Sequence, residues 1–544
     1  MNYSPGYGRL KALGAYMSAH GVVLGAASAG LLSFALYVST MARGITWRNL
    51  GADGGDLLTA AFTWGIPHPS GYPTYVLGLR GFSGLVPFGD EALIGNLFSA
   101  TLSGMSIVFI FLATHRLIGL VGSTRDVPAH AKWLSAFVSA MAVGASRELW
   151  SQSTITEVYA LNGFFVSVLL YGLISMYSDH QLGRDRPLLR VGMALLLGLG
   201  LGNHLTLAML TLPLVVWSYT WENDRDGRMR LLRDWRVPMA FALGISVYLY
   251  PPLASSQSPL LNWGHPQNAA GFWWMLSGSM YQSYLFGIEA SQITVRLSEI
   301  AEIALAQYAF VGIVLAIVGA TFVYELGRGL LIAMAVSAML VISYAVSYDT
   351  VDSFLYLIPI FMLLGLFVGI GTAGLLSAVQ RTAITRGLVK WPRWRDILIA
   401  VAILAAIPGF SVFANYGELD LSDDREAEVY AVDSFMTAGP GSVILASDAG
   451  PIFSLWYQTY IAAPEADVLV ISVPHLQYDW YWDDMRAQAP DRVPEERPEK
   501  FFDRNRAIID YNLGTRAVWV AGETDIFDRN YHLEERGPIR RVLP

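Results

Sequence analysis

The fold of this chain is decided first by a predominantly apolar run, GVVLGAASAGLLSFALYVSTM, which extends from Gly21 to Met41. A helix rises about 1.5 Å per residue, so about 20 such residues cross the ~30 Å hydrocarbon core of a bilayer. The run carries no charge and is long enough for one crossing. No small-residue cleavage site precedes the acidic loop that follows, so we interpret the run as a retained span and not as a removed signal peptide.

Further apolar runs repeat along the chain. Over half of the 544 residues are hydrophobic (54%) and only 15% are charged. Because the longest runs can split into two helices, we predict a polytopic α-helical membrane protein with about 11 transmembrane helices. The further runs are Leu93–Leu112, Phe164–Met176, Val191–Trp217, Phe241–Ala254, Ile303–Val323, Leu330–Val346, Phe354–Leu376 and Ile397–Phe413.

The distribution of arginine and lysine indicates an orientation. If the N-terminus is cytoplasmic, the inner segments carry 19 of these residues and the outer loops carry five. Positively charged loops remain cytoplasmic, so this arrangement is the expected one. It places the unusual polar loops on the same, outer side, where they could build one site. These loops are residues 53–72, 147–159, 203–204, 263–284 and 348–352.

The composition changes after Phe413. Beyond that residue no apolar run is long enough to span a membrane, and short strand-like segments alternate with helix-like ones. We therefore predict a transmembrane domain, residues 1–414, with its first outer loop at residues 43–92. A small soluble α/β domain, residues 415–544, follows on the outer face. Its predicted strands are Val443–Ala446, Val468–Val473 and Ala517–Ala521, and its predicted helices include Ile452–Ile461 and Phe501–Tyr511.

The first outer loop concentrates chemistry at one membrane surface. Asp53-Gly54-Gly55-Asp56 follows the first span, and His68-Pro69-Ser70-Gly71-Tyr72-Pro73 follows in turn. Carboxylates beside hydrocarbon cost about 2.5–3.5 kcal/mol each, and prolines stiffen the backbone. We therefore predict that Asp53, with Asp56 second, is catalytic, acting as a general base toward an acceptor hydroxyl. A helix N-cap role for Asp53 and a solvated loop are the structural alternatives.

His68 and Tyr72 are candidates for binding or orienting the substrate, together with six further residues. Guanidinium groups bind phosphate through paired hydrogen bonds, so either candidate arginine could hold a phosphate leaving group. For Arg147 the alternative role is a local ion pair with Glu148. For Glu157 the alternative role is an interaction with the helix dipole. The six residues are Arg80, Arg147, Glu157, Tyr159, Asn203 and His204.

Several chemistries are excluded by the residues themselves. The chain contains no cysteine, which excludes disulfides and thiolate catalysis. It contains neither a P-loop nor an HExxH zinc motif, and nothing indicates a nucleic-acid partner. Asp53 and Asp56 could hold a divalent metal, but no third ligand is evident, so the sequence gives no support for a metal cofactor.

The order of these motifs resembles that of one known family. The most specific element is His-Pro-x-Gly-Tyr-Pro, present here as His68 to Pro73. Over nearly its whole length the chain is similar to the transmembrane protein 260-like family of protein O-mannosyltransferases, which looks like a branch of the GT-C glycosyltransferases. The other segments that carry the resemblance are Trp150–Asn162, Gly198–Thr206, Trp263–Tyr284, Tyr348–Pro359 and Leu455–Tyr481.

The resemblance implies a GT-C-like fold and a polyprenyl-phosphate sugar donor. It also implies transfer of mannose to Ser or Thr of an exported protein acceptor, at the outer face of a membrane whose lipids surround the enzyme. The family's acidic pair resembles Asp-Ser-Gly-Glu, so Asp56 is a shorter second carboxylate here. His265 stands where the family tends to have Asp. A membrane transporter or lipid flippase, and a non-catalytic receptor subunit, are the alternative classes; transporters commonly show internal repeats, and no convincing repeat is visible.

Overall fold

The computed structural model describes residues 5–221, 233–385, 392–523, 527 and 531–543. Five of the basic residues predicted to be cytoplasmic lie outside these ranges: Arg225, Arg228, Arg230, Arg386 and Lys390.

The prediction of a polytopic helical membrane protein is confirmed. Eight segments in the described ranges are long and apolar enough to cross a membrane. Two shorter apolar helices lie between the third and fourth of these segments. They divide the predicted run Val191–Trp217 at Asn203 and His204. The eight segments are His20–Thr40, Glu91–Leu120, Val158–Gln181, Arg236–Ser255, Ala290–Leu326, Arg328–Ser347, Ser353–Ala383 and Arg393–Leu419.

The α-helices are numbered here in chain order. They are α1 Pro5–Thr40, α2 Gly54–Thr63, α3 Pro73–Ser83, α4 Glu91–Leu120, α5 Gly122–Arg125, α6 Ala129–Gly144, α7 Arg147–Ser153, α8 Val158–Gln181, α9 Pro187–Leu201, α10 Leu207–Ser218, α11 Arg236–Ile245, α12 Tyr250–Ser255, α13 Ala269–Leu276, α14 Ile293–Val323, α15 Arg328–Ser347, α16 Ile358–Thr385, α17 Arg393–Leu404, α18 Phe410–Leu419, α19 Glu426–Ala438, α20 Ala449–Tyr457, α21 Asp479–Gln488 and α22 Phe501–Asn512.

Small residues let the long helices pack closely. A Cβ atom added to Gly319 in α14 would lie 2.0 Å from the carbonyl oxygen of Phe367 in α16, and one added to Gly371 in α16 would lie 2.0 Å from that of Leu315. The two helix backbones therefore meet at a contact that only glycine permits, as is common between membrane helices. The 16-residue helix α6 packs against α1, α4 and α16. Beside the about 11 transmembrane helices predicted, the described residues hold eight segments of spanning length and two shorter apolar helices.

The first outer loop forms two short helices joined by a tight turn. α2 begins immediately after Asp53, and the turn from His68 to Tyr72 leads into α3, whose first residue is Pro73. Proline suits the first position of a helix because its fixed φ is already helical. Gly71 has a φ of +80°, a conformation that favours glycine. The backbone N–H of Trp263 donates to the backbone oxygen of Ile66 at 3.4 Å, so this loop is tied to the predicted loop 263–284.

The C-terminal segment carries a five-stranded sheet with the order β2-β1-β3-β5-β4. β1 pairs in parallel with β2 and β3, whereas β3–β5 and β5–β4 are antiparallel. The three predicted strands are present, and the last two were not predicted because charged residues interrupt any alternating apolar pattern in both. The strands are β1 Val443–Ala446, β2 Leu469–Ser472, β3 Val518–Ala521, β4 His532–Arg536 and β5 Ile539–Leu543.

The C-terminal segment packs directly on the first outer loop. A Cβ atom on Gly55 would lie 2.3 Å from the carbonyl oxygen of Phe453, so α2 and α20 are in close contact. Nearby, the indole Nε1–H of Trp47 donates to Ser454 Oγ at 2.8 Å. The last membrane segment ends at Leu419, so the predicted domain boundary after residue 414 falls within it. That boundary stays a prediction.

Candidate functional site

A cavity of about 700 Å³ lies where the polar loops meet. Each of the five loops that the sequence placed on one side contributes to its wall, and α20 of the C-terminal segment closes another part. The lining residues include Trp47, Asp53, His68, Tyr72, Glu157, Tyr159, His204, Thr206, Tyr281, Tyr284, Tyr344, Tyr348, Asp349, Asp352, Tyr356, Ala449 and Phe453.

His68 connects the two aspartates of the first outer loop. Its Nδ1 atom lies 2.7 Å from Oδ2 of Asp56, and its backbone N–H donates to the same oxygen at 2.9 Å. Its Nε2 atom lies 3.5 Å from Oδ2 of Asp53. The three side chains form a chain in the order Asp56, His68, Asp53. Asp56 holds the imidazole of His68, and this imidazole faces Asp53.

The two aspartates have different surroundings. Asp56 is fully buried, and its second oxygen accepts a hydrogen bond from the indole Nε1–H of Trp263 at 2.9 Å. Asp53 faces the cavity, and its side chain is 41% exposed. The structure therefore brings both predicted catalytic carboxylates to the site, but only Asp53 can touch a substrate directly. Asp56 has the geometry of a positioning residue.

Charge and burial shift the pKa values of His68 and Asp53. Burial acts to lower the pKa of His68, but the neighbouring carboxylates Asp53 and Asp56 outweigh it and raise the pKa to about 9. Enclosure by the protein raises the pKa of Asp53, and the charge of His68 opposes part of that rise. At neutral pH, His68 is therefore a cation beside the carboxyl group of Asp53. A carboxylate with a raised pKa is a stronger base, as general-base catalysis requires.

Glu157 and Tyr159 also line the cavity, at the start of α8. Glu157 is 4% exposed, and its Oε2 atom accepts a hydrogen bond from the backbone N–H of Val158 at 3.1 Å. Burial, reinforced by the charge of Asp53, raises its pKa well above the usual value. The Tyr159 hydroxyl donates to Asp352 at 3.4 Å. The wall is therefore polar and rich in oxygen atoms.

Tyrosine rings surround His204. Its ring centroid lies 5.6 Å from those of Tyr159 and Tyr356, and 6.3 Å from that of Tyr72. Burial lowers the pKa of His204 to about 4, so it is neutral at physiological pH. Aromatic faces and neutral hydrogen-bonding groups together suit a sugar ring or an extended peptide.

Asn203 lies behind this wall. It is fully buried, and its amide donates to the backbone oxygen of Val158 at 3.1 Å. It ties the α9–α10 connection to the start of α8 and is not among the residues that line the cavity. Its contact is structural.

The two candidate arginines are not in the cavity wall. The guanidinium of Arg80 lies over the rings of Phe62 and Trp64, at 5.6 and 5.3 Å from their centroids. Arg147 donates to Glu148 at 2.9 Å and also pairs with Glu418. The local pair with Glu148, raised as the competing role for Arg147, is therefore present. In the described part of the chain, no arginine or lysine lines the cavity.

Helix N-termini supply positive potential at the cavity instead. α8, α10 and α20 each begin at the wall, where Val158, Thr206 and Ala449 line the space. A helix N-terminus carries about half a positive charge, so it favours anions such as phosphate; the first N–H groups of α8 and α10 already donate within the chain. Together with the cationic His68, these termini offset the carboxylates around them.

Sequence reasoning missed the contribution of the C-terminal segment. Phe453 lines the cavity and stacks near His68, with ring centroids 6.5 Å apart. Its sequence context predicts an ordinary packed helix, which gives no signal for a site residue. Asp352 and Tyr281 were missed as individual residues, although both lie in loops that were singled out for their polar composition.

The fold is shared with solved membrane enzymes. ArnT from Cupriavidus metallidurans, bound to undecaprenyl phosphate, superimposes with a TM-score of 0.53 at 14% identity, covering 96% of this chain and 97% of that one. The Archaeoglobus fulgidus oligosaccharyltransferase, tethered to an acceptor peptide, superimposes with a TM-score of 0.50 at 12% identity, covering 94% of this chain and 69% of that one. The chain has the fold of the GT-C glycosyltransferases, which confirms the predicted fold class.

Sequence comparison then indicates a particular family within this class. Residues 53–228 match the model of the protein O-mannosyl-transferase TMEM260 N-terminal domain. The mouse protein O-mannosyl-transferase TMEM260 is 25% identical over 81% of this chain, and the Dictyostelium discoideum protein of that name is 20% identical over 91%. The resemblance predicted from the motifs is confirmed. The chain spans 62% and 64% of the lengths of these relatives.

Proposed function

We propose that this protein is a membrane glycosyltransferase that uses Asp53 as its general base. The observation that carries the proposal is the position of the Asp53 carboxylate, which faces a cavity of about 700 Å³. This carboxylate also contacts His68, whose imidazole is held by the buried Asp56. The base removes the proton from an acceptor hydroxyl as the hydroxyl oxygen attacks the anomeric carbon of the sugar. The bond from that carbon to the donor phosphate breaks, and the sugar configuration inverts.

The donor is a sugar linked to a polyprenyl phosphate. Undecaprenyl phosphate in the ArnT structure supports this class of donor. The phosphate released in the reaction needs positive potential, and neither Arg80 nor Arg147 lines the cavity. We assign this role to the imidazolium of His68 and to the N-termini of α8, α10 and α20. A lipid-borne donor also suits a catalytic cavity beside the bilayer, because the donor does not leave the membrane.

The sugar is mannose and the acceptor is a Ser or Thr hydroxyl of an exported protein. The two O-mannosyl-transferase relatives support the sugar and the hydroxyl acceptor, and the peptide tethered to the archaeal oligosaccharyltransferase supports a polypeptide acceptor. The tyrosine-rich wall around Tyr159, His204 and Tyr356 offers flat, partly polar surfaces for both substrates. By the charge distribution of the loops, the cavity and residues 415–544 lie on the outer face.

A transfer assay tests the proposal. The full chain, purified in detergent, is incubated with radiolabelled polyprenyl-phosphate mannose and a Ser/Thr-rich peptide, and label on the peptide is counted. Asp53→Asn is expected to lower transfer by about 10²- to 10⁴-fold, the usual contribution of a general base.

Asp90→Asn is the matched control. Asp90 caps α4 in the same loop, accepting from the N–H of Leu93 at 2.8 Å, and asparagine preserves such a cap. Full activity in Asp53→Asn would reject Asp53 as the base. A transporter or flippase would give no labelled peptide from the unaltered chain.

A further inference from the structure

A second cavity, of about 420 Å³, lies between α8, α9, α10 and α11. It shares no lining residue with the cavity at Asp53. α8 begins at the Asp53 cavity, and this second cavity extends along its later turns from Val166 to Met176. It therefore lies toward the opposite membrane surface. We refer to it as the lower cavity.

The walls of the lower cavity are almost entirely aliphatic. Leu169, Leu173, Met193, Leu197 and Leu214 line it. Thr211 is the polar residue in the middle of the wall, and its hydroxyl is already used, because it donates to the backbone oxygen of Leu207 at 2.7 Å. A hydrocarbon chain is the ligand that such a space accommodates at least cost, since burying apolar surface is favourable and no polar group is left unpaired.

A glycine contact joins α9 and α11 beside the lower cavity, next to its lining residues Leu197 and Phe241. A Cβ atom on Gly198 in α9 would lie 2.5 Å from the backbone oxygen of Phe241, and one on Gly244 in α11 would lie 2.3 Å from that of Leu195. The two backbones touch at this glycine pair. Further along, the side chains of Arg190 and Val237 on the same two helices face the cavity.

The other end of the lower cavity is polar and carries an ion pair. Arg190, Ser218 and Tyr219 line it there. The guanidinium of Arg190 pairs with Asp185, whose side chain is 75% exposed. Arginine has five N–H donors, so the guanidinium can bind an anion while it also pairs with Asp185.

Neighbouring aromatic residues mark this end as the membrane–water interface. Tyr177 and Trp217 lie at the adjoining helix ends with ring centroids 5.1 Å apart, and Trp217 and Trp221 are 4.9 Å apart. Tyrosine and tryptophan concentrate at the headgroup level of bilayers. Leu212 on α10 and Leu243 on α11 are 61% and 65% exposed, so these two helices also present apolar side chains to the surrounding lipid.

We propose that the lower cavity binds one acyl chain of an anionic phospholipid from the leaflet opposite the Asp53 cavity. The phosphate of that lipid pairs with Arg190, and its acyl chain occupies the aliphatic space as far as the glycine contact. Basic pockets between membrane helices are known to select anionic headgroups in this way. The bound lipid fills the space between α8, α9, α10 and α11, and it supports the helices that carry His204 and Glu157 at their other ends.

Native mass spectrometry of the full chain tests the lipid site. The delipidated protein is incubated with equal amounts of phosphatidylglycerol and phosphatidylcholine that have identical chains, and bound lipid is counted. We expect a preference for phosphatidylglycerol, and Arg190→Gln is expected to weaken its binding about tenfold, as for loss of one charge-assisted contact. Arg184→Gln, an exposed arginine of the same loop outside the cavity, is the matched control and should bind normally.

A variant that fills the lower cavity tests whether an acyl chain binds there. Ala194→Phe places a ring in the lower cavity and should reduce binding of both lipids, whereas Leu212→Phe on the lipid-exposed face should not. Equal binding of the two lipids, or unchanged binding in Arg190→Gln, would overturn the proposal. Arg190-dependent binding of a polyprenyl phosphate in preference to phosphatidylglycerol would overturn the assignment to a phospholipid.

Discussion

The imidazole of His68 is held by Asp56 through two contacts to one oxygen atom, a ring contact of 2.7 Å and a backbone hydrogen bond of 2.9 Å. Two contacts to one buried carboxylate fix both the position of the backbone and the orientation of the ring. The ring then presents Nε2 to Asp53, which is the only one of the two aspartates that faces the cavity. In the proposed mechanism the acidic pair of the first outer loop thus divides into a base, Asp53, and a positioning residue, Asp56.

Asp56→Asn is expected to impair catalysis without removing the base. We expect kcat to fall by roughly 10- to 100-fold, less than for Asp53→Asn, because the amide holds His68 more weakly but the cavity keeps its carboxylate. Steady-state transfer assays at saturating donor measure this. A merely structural role would instead lower the amount of folded protein and leave kcat per folded molecule unchanged.

The pH dependence of kcat/KM should follow the His68–Asp53 pair. Activity requires ionised Asp53 and protonated His68, so it should fall as pH drops through the raised pKa of Asp53 and as pH rises through about 9, the pKa of His68. Asp56→Asn should move the alkaline limb to lower pH, since removing one carboxylate charge lowers the pKa of His68. An alkaline limb that stays in place in this variant would contradict the assignment.

The donor phosphate should depend on His68 and not on the two arginines. His68→Gln is expected to raise the KM for polyprenyl-phosphate mannose and to lower kcat, because it removes the one cationic side chain described in the cavity wall. Arg80→Gln, which loses only contacts to Phe62 and Trp64, should change the donor KM by less than about twofold. A large donor KM effect in Arg80→Gln would place the phosphate elsewhere.

Gly55→Ala should destabilise the contact between α2 and α20. The added Cβ atom would lie 2.3 Å from the backbone oxygen of Phe453, and relieving such an overlap costs about 1–3 kcal/mol. Thermal unfolding followed in detergent measures the change. Gly81→Ala is the matched control, because it lies in α3 with no atom near the new Cβ, and it should be neutral or stabilising.

Single-cysteine labelling should test the orientation of the membrane domain. The chain has no cysteine, so Phe88→Cys and Leu182→Cys each introduce one thiol, at sites that are 62% and 60% exposed. In intact cells an impermeant maleimide should label position 88 in the first outer loop and not position 182 between α8 and α9. The reverse pattern would place the Asp53 cavity on the cytoplasmic side.

Much of the membrane domain could be predicted from the sequence because its determinants are local. The length of each apolar run fixes whether a helix can span the bilayer, and the charges between runs indicate which loops share a side. The same reasoning predicted that Asp53, His68, Glu157 and His204 lie close together, because the loops on one side of a helical bundle are neighbours. The motif His68 to Pro73, together with the order of the other segments, indicated the family resemblance.

Only the tertiary structure decided how the acidic pair is divided and what closes the cavity. The exposure of Asp53 and the burial of Asp56 depend on Trp263, about two hundred residues away in sequence. Phe453 reaches the cavity only because Gly55 lets α20 approach α2. Such long-range contacts leave no periodic pattern in the sequence. The chain alone therefore determined which groups gather at one membrane surface, whereas packing between distant segments determined which of them reach the substrate.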